Sequence, residues 1–123
     1  MARILVIDDE PLARRAVVRM LETLGHEVRE AGDGTSGLRL WREASADLVI
    51  TDLAMPDLTG FEVIGILRAE SPALPIIAIS GSLMVGDQEL VSRAAQLGTQ
   101  LLGKPFSWEQ LTAAVAAALP AES

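Results

Sequence analysis

Cysteine is absent from the 123 residues, and histidine occurs once, at His26. Without thiols there is no disulfide framework, no cysteine-based zinc site and no thiol chemistry. A single imidazole has no second one to share a metal with, so chemistry falls to carboxylates, hydroxyls and amines. Basic residues are few: 10 Lys and Arg stand against 17 Asp and Glu, a formal charge of −7. A chain so charged repels phosphate backbones and anionic membranes, which argues against direct nucleic-acid or membrane-surface binding. Long hydrophobic runs are missing as well. Four apolar residues, 4–7, precede Asp8, too few for a signal-peptide core, and nothing approaches the ~18 apolar residues of a membrane span. The expected location is the cytoplasm.

What is present suits one folded domain over residues 1–123. Apolar residues make up 50% and charged residues 22%, a balance that permits a core and excludes intrinsic disorder. Two hydrophobic periods alternate along the chain, the pattern of repeated βα units. Ile4 to Ile7, Leu48 to Ile50 and Ile76 to Ile79 are short continuous apolar runs, as parallel strands need when helices cover both faces. His26 to Glu30 carries charges around Val28, and Gln100 to Gly103 is short, so these two suit the sheet edges. Leu12, Ala16, Met20 and Leu24 define a first helix, with Pro11 at its start and Gly25 past its end. Leu38 with Trp41, then Phe61, Ile64 and Leu67, then Leu90, Ala94 and Leu97, predict three further core-facing stripes. A capping box of Ser107 and Gln110 opens the last helix, whose expected core face is Trp108, Leu111, Val115 and Ala118 before Pro120 stops it. Phe106 reads as a packing residue.

Five strands, five helices and two polar edge strands predict an α/β, flavodoxin-like, doubly wound parallel sheet of order 2-1-3-4-5. In such sheets ligands bind outside the carboxyl ends of the strands, where the order reverses. Asp8, Asp9 and Glu10 follow the first strand, Asp52 ends the third, Ser80 ends the fourth and Lys104 follows the fifth. Three gathered aspartates repel one another unless a cation sits among them. With oxygen ligands only, that cation is hard, so Mg²⁺ leads and Mn²⁺ can substitute. A lysine and a hydroxyl nearby suit phosphoryl oxygens, and the whole reads as a phosphoryl-transfer site with an aspartate nucleophile.

These marks, together with residues 51–60 (TDLAMPDLTG), Ile79-Ser80-Gly81 and Lys104-Pro105-Phe106, make the chain resemble the response-regulator receiver domains of two-component signalling, the single-domain chemotaxis regulators in particular. The resemblance covers the whole chain. It implies that Asp52 accepts a phosphoryl group from a histidine kinase or histidine phosphotransfer protein. Asp9, Asp52 and the backbone carbonyl of Ala54 would hold Mg²⁺, with Asp8 acting through a water. Ser80 and Lys104 would contact the phosphoryl oxygens, and the small Gly81 and Ser82 would leave room for them. It also implies a phosphoacceptor that assists its own phosphorylation and dephosphorylation rather than a turnover enzyme. Its output would be a switch in the binding of a downstream partner or output domain, through the fourth helix, fifth strand and fifth helix.

Two departures bear on that switch. The family usually has Tyr or Phe three residues before the lysine, where this chain has Leu101, and Gly98 to Lys104 is six positions rather than the common seven. Rival readings exist for each residue. The acids at 8–10 could merely cap the first helix, Lys104 could be a solvated loop charge, and His26 could simply open an edge strand. Two other functions share the fold. A flavin carrier needs a hydroxyl- and glycine-rich phosphate loop that Asp8 and Asp9 would spoil, and a Mg²⁺-dependent aspartyl phosphatase usually separates its paired acids by one residue. A receiver-fold module that is never phosphorylated is a third reading.

Overall fold

The computed structural model describes residues 2–55, 57–81 and 88–119. Pro56, Ser82 and Pro120 lie outside the described residues, as does the side chain of Leu90. Five strands, β1 (Arg3–Ile7), β2 (Glu27–Ala31), β3 (Leu48–Asp52), β4 (Ile76–Ser80) and β5 (Gln100–Gly103), alternate with five helices, α1 (Pro11–Thr23), α2 (Gly34–Glu43), α3 (Gly60–Glu70), α4 (Gln88–Gln96) and α5 (Trp108–Ala118). The sheet is parallel throughout, in the order β2-β1-β3-β4-β5, as the edge polarity predicted.

Alternation along each strand sends successive side chains to opposite faces, and two cores result. Ile4, Val6, Leu48, Ile50, Ile77 and Ile79 pack with Val17, Val18 and Leu21 of α1 and Leu111 and Val115 of α5. Leu5, Ile7, Val49, Ile76 and Ala78 pack with α2 through Leu38 and Trp41 and with α3 through Val63, Ile64 and Leu67. All residues of β3 and β4 are buried, whereas β2 and β5 are largely half-buried. A strand covered on both faces must be apolar from end to end, which is why the central strands read as unbroken runs.

The buried face of α1 differs from the expected one. Leu12 is 88% exposed, Ala16 is exposed, and Met20 and Leu24 are half-buried, while Val17, Val18 and Leu21 are buried. Steps of four advance the stripe by about 40° each around a 3.6-residue helix, so four such residues wind away from any single face. The 17, 18, 21 spacing stays on one side. Leu21→Ala should therefore cost about 2–5 kcal/mol, and Leu12→Ala under about 0.5 kcal/mol, in urea unfolding. Equal losses at the two positions would contradict this orientation.

Trp108 also departs from expectation, being 39% exposed while Leu111 and Val115 are buried. Helical side chains lean toward the N-terminus, so a ring at the first helical position overhangs the end of α5. Phe106 packs against the α1/α5 core as expected, and Leu97 and the half-buried Leu101 pack on the other side. Ala94 is buried.

Both helices whose starts carry reciprocal hydroxyl and acid or amide groups are capped. The Ser107 side chain accepts from the Gln110 N–H, and the Gln110 side chain accepts from the Ser107 N–H. A second box, Thr59 with Glu62, opens α3. Gly25, at φ 90°, follows α1 in the left-handed region that favours glycine. Among the described residues no helix is long and apolar enough to cross a membrane.

Candidate functional site

Parallel pairing brings four strand ends to one edge of the sheet. Ile7 pairs with Thr51, Asp52 with Ile79 and Ser80 with Gly103, and the Lys104 N–H donates to the Ser80 carbonyl at 2.9 Å. The groups that follow or end these strands, Asp8, Asp52, Ser80 and Lys104, thereby become neighbours in the sheet although up to 96 positions separate them. Asp8, Asp52 and Ser80 are buried. Polar groups enclosed this fully need partners.

The acids share one cation. Lys104 Nζ lies 2.9 Å from Asp52 Oδ2, 3.2 Å from Asp8 Oδ2 and 3.7 Å from Glu10 Oε1. The remaining carboxylate oxygens accept backbone donors: Asp8 Oδ1 takes the Glu10 N–H and Asp52 Oδ1 the Ala54 N–H, each at 3.0 Å. Carboxylate oxygens of Asp8, Asp9 and Asp52 come within 4.8 Å of one another. Burial pushes the Asp8 carboxyl up, and the Asp52 charge adds to this against the opposing Glu10 N–H and Lys104. For Lys104, burial works against the ammonium, but the hydrogen bond and charge of Asp52 and then those of Asp8 outweigh it and raise its pKa.

Three carboxylates against one ammonium leave an excess of negative charge in a low-dielectric corner, and every donor in the cluster is oxygen. That donor set fits a hard divalent ion that retains waters, such as Mg²⁺, and does not suit a soft metal.

Two sequence-level rivals give way here. Glu10 occupies the N-cap of α1 without a side-chain cap bond, and no acid lies in the first turn, so the acids face the site rather than serve the helix. Lys104 is a half-buried partner of two buried carboxylates, not a solvated loop charge, and it is the only lysine in the chain. His26 accepts the Ala2 N–H on Nδ1 at 3.1 Å, tying the chain ahead of β1 to the start of β2. Gly81 follows β4, and no described atom stands within 4 Å of where its Cβ would be. Leu101 is one strand position away from Leu102 and points into the α2/α3 core, so it takes no part in the charged cluster.

Sequence reasoning missed two supporting residues. Arg14 donates from Nε to Glu30 Oε1 and from Nη1 to the Asp8 carbonyl, both at 2.8 Å, fixing the backbone that carries the acids. Asp57 binds the start of α2. Neither has a local sequence signal, because each acts on backbone groups that every residue possesses, six positions away for Arg14 and 22 to 23 for Asp57.

Comparison with known proteins supplies the context. A family model described as the response regulator receiver domain matches residues 4–116. Protein PilH of Pseudomonas aeruginosa is 36% identical over 121 residues, covering 97% of this chain and 98% of PilH. The probable transcriptional regulatory protein TcrX of Mycobacterium tuberculosis is 33% identical over 108 residues, covering 88% of this chain but 45% of TcrX. The crystallised chemotaxis protein CheY4 of Vibrio cholerae superposes with a TM-score of 0.88 at 31% identity, covering 97% of this chain and 99% of that one.

Proposed function

Because the chain belongs to the response-regulator receiver family, we propose that Asp52 is its phosphoacceptor, taking a phosphoryl group from a histidine kinase or a histidine phosphotransfer protein. One observation carries this reading: Asp52 closes β3 among Asp8 and Asp9 with Lys104 Nζ 2.9 Å away. An Asp52 carboxylate oxygen forms the new O–P bond as the donor's bond to phosphorus breaks. Lys104, already held at that carboxylate, then offsets the added charge, and the Ser80 hydroxyl binds a phosphoryl oxygen, with Gly81 leaving room beside it. Asp9, Asp52 and the Ala54 carbonyl would hold Mg²⁺, or Mn²⁺ in its place, with Asp8 acting through a water. Mg²⁺, when bound, supplies charge neutralisation at the phosphoryl oxygens.

The chain serves as a phosphoacceptor that assists its own modification, not as a turnover enzyme. Its output passes by protein contact through α4, β5 and α5 to a downstream partner or output domain, and not by binding nucleic acid or membrane itself. With Leu101 in place of a ring, this position has no aromatic side chain to swing between buried and exposed sites and no hydroxyl to offer a partner, so the response concentrates near Ser80 and α4. A cytoplasmic location, general for the receiver family, is part of this proposal.

Exposure to acetyl phosphate with Mg²⁺ should add ~80 Da, one phosphoryl group, in intact-mass measurement. Asp52→Asn should remove the adduct, and omission of Mg²⁺ should slow its formation strongly. A stable, Mg²⁺-independent adduct on the variant would sink the assignment, and absence of any adduct on the wild type would favour a receiver-fold module that is never phosphorylated.

A further inference from the structure

The N-terminus of α2 shows where the loop after Asp52 is held. Four backbone N–H groups at a helix start lack partners within the helix. At α2 three of them, the N–H groups of Gly34, Thr35 and Ser36, bond to side chains. The Ser36 N–H donates to Asp33 Oδ1 at 2.7 Å, which is ordinary local capping, and the Gly37 N–H to the Asp33 carbonyl at 3.0 Å is already the first bond of the helix. The other two are met from 23 and 22 residues away: the Gly34 N–H donates to Asp57 Oδ1 at 3.2 Å and the Thr35 N–H to Asp57 Oδ2 at 3.1 Å. Thr35 Oγ1 adds a third bond to Asp57 Oδ2 at 2.8 Å. The Leu58 N–H first, then the Thr35 donors, hold the Asp57 carboxyl well below the usual carboxylate range, so it is ionised across the physiological pH range. Leu58 closes against the same helix start, since a Cβ on Gly34 would stand 2.8 Å from Leu58 Cβ.

The segment between Asp52 and Gly60 is therefore fastened twice. At its base the Gly60 N–H donates to the Leu53 carbonyl at 3.0 Å. Farther along, Asp57 joins it to α2. Ala54, whose N–H binds Asp52 Oδ1 and whose carbonyl is the proposed metal ligand, lies between the strand end and this anchor. We propose that Asp57 is a positioning residue: by bridging to Gly34 and Thr35 it fixes the loop so that Ala54 and the Asp52 carboxylate hold their places for Mg²⁺. This rests on the phosphoacceptor reading above and deepens it.

Asp57→Ala and Asp33→Ala each remove part of the cap of α2, but only Asp57 belongs to the loop. Both should lower the melting temperature of the apo protein by about 4 °C, as expected for loss of a helix cap. Mg²⁺ titration by calorimetry should separate them: Asp57→Ala binds about tenfold more weakly, the usual loss when a supporting residue behind a metal site is removed, whereas Asp33→Ala binds as the wild type does. In metal-free samples, the Ala54 amide should exchange hydrogen faster in Asp57→Ala than in Asp33→Ala. Equal Mg²⁺ affinity in the wild type and both variants would overturn this inference while leaving the metal site standing. Failure of the wild type to bind Mg²⁺ would overturn the functional reading and this inference with it.

Discussion

Gly60→Ala is expected to destabilise the protein by about 3 kcal/mol, at the upper end of overpacking costs, whereas Gly65→Ala, five positions along α3, should stabilise it by about 0.5–1 kcal/mol. A Cβ on Gly60 would stand 2.3 Å from the Asp52 carbonyl oxygen, 2.5 Å from the Leu53 Cα and 2.9 Å from the Asp52 carbonyl carbon. These are backbone atoms, so no rotamer change can relieve the overlap. Either α3 backs away from the sheet, or the end of β3 moves and carries Asp52 with it. Around Gly65 no described atom lies within 4 Å of the added methyl, and the position is inside a helix, so alanine only reduces the freedom of the unfolded chain. Thermal unfolding should show Gly60→Ala lowered by about 10 °C with weakened Mg²⁺ binding. A melting temperature within a degree or two of wild type would mean that the close approach of α3 to β3 is not required.

Lys104→Met should cost about 3–5 kcal/mol in the apo protein at neutral pH, as breaking a buried ion pair typically does. The substitution keeps most of the side-chain volume but leaves Asp8 and Asp52, both almost fully enclosed, facing each other without their shared cation. Protonation offers relief. The folded-state pKa of Asp8 is already raised above its ordinary value of 3.8, and removing Lys104 takes away one of the influences that lower it. A group whose folded pKa exceeds its unfolded value binds more protons when folded, so its ionisation subtracts stability as pH rises above 3.8. The variant should thus recover stability between neutral pH and pH 5, and Mg²⁺ should restore it at neutral pH by replacing the missing charge. In the wild type the raised pKa of Lys104 acts in the same direction, but at high pH. Its raised pKa gives stability that is complete below 10.5 and is lost as pH rises through the higher folded value. Guanidinium unfolding of both proteins from pH 5 to 11 would test this, and a variant whose stability neither rises on acidification nor responds to Mg²⁺ would contradict the shared-cation arrangement.

The sheet order was legible because burial leaves a compositional trace. Ile4–Ile7 and Ile76–Ile79 had to be apolar on both faces to lie centrally, and the charges around Val28 and the brevity of Gln100–Gly103 mark positions with water on one side. Once the order is known, strand ends are neighbours, and Asp8, Asp52, Ser80 and Lys104 fall together without further information. The buried face of α1 was harder to read. Its sequence, PLARRAVVRMLET, contains two overlapping apolar stripes, and the one with the simpler spacing is the one that faces outward.

Other features leave no local trace at all. Arg68 donates to the carbonyls of Leu97 at 2.7 Å and Gly98 at 3.0 Å, and also to those of Pro72 and Leu74, joining the end of α3 to the end of α4 through backbone acceptors that every residue possesses. The bond from Asp57 to α2, the approach of Gly60 to Asp52 and the hold of Arg14 on the Asp8 carbonyl are of the same kind. Residue type and spacing within short segments are enough to set the periods, the strand order and the chemistry gathered at one edge. Which side of α1 is buried, how Lys104 divides itself between Asp8 and Asp52, and what holds the loop after Asp52 follow instead from packing in three dimensions. Those outcomes depend on distances between segments that are remote in the chain, and such distances exist only once the sheet and its two helical layers have closed on each other.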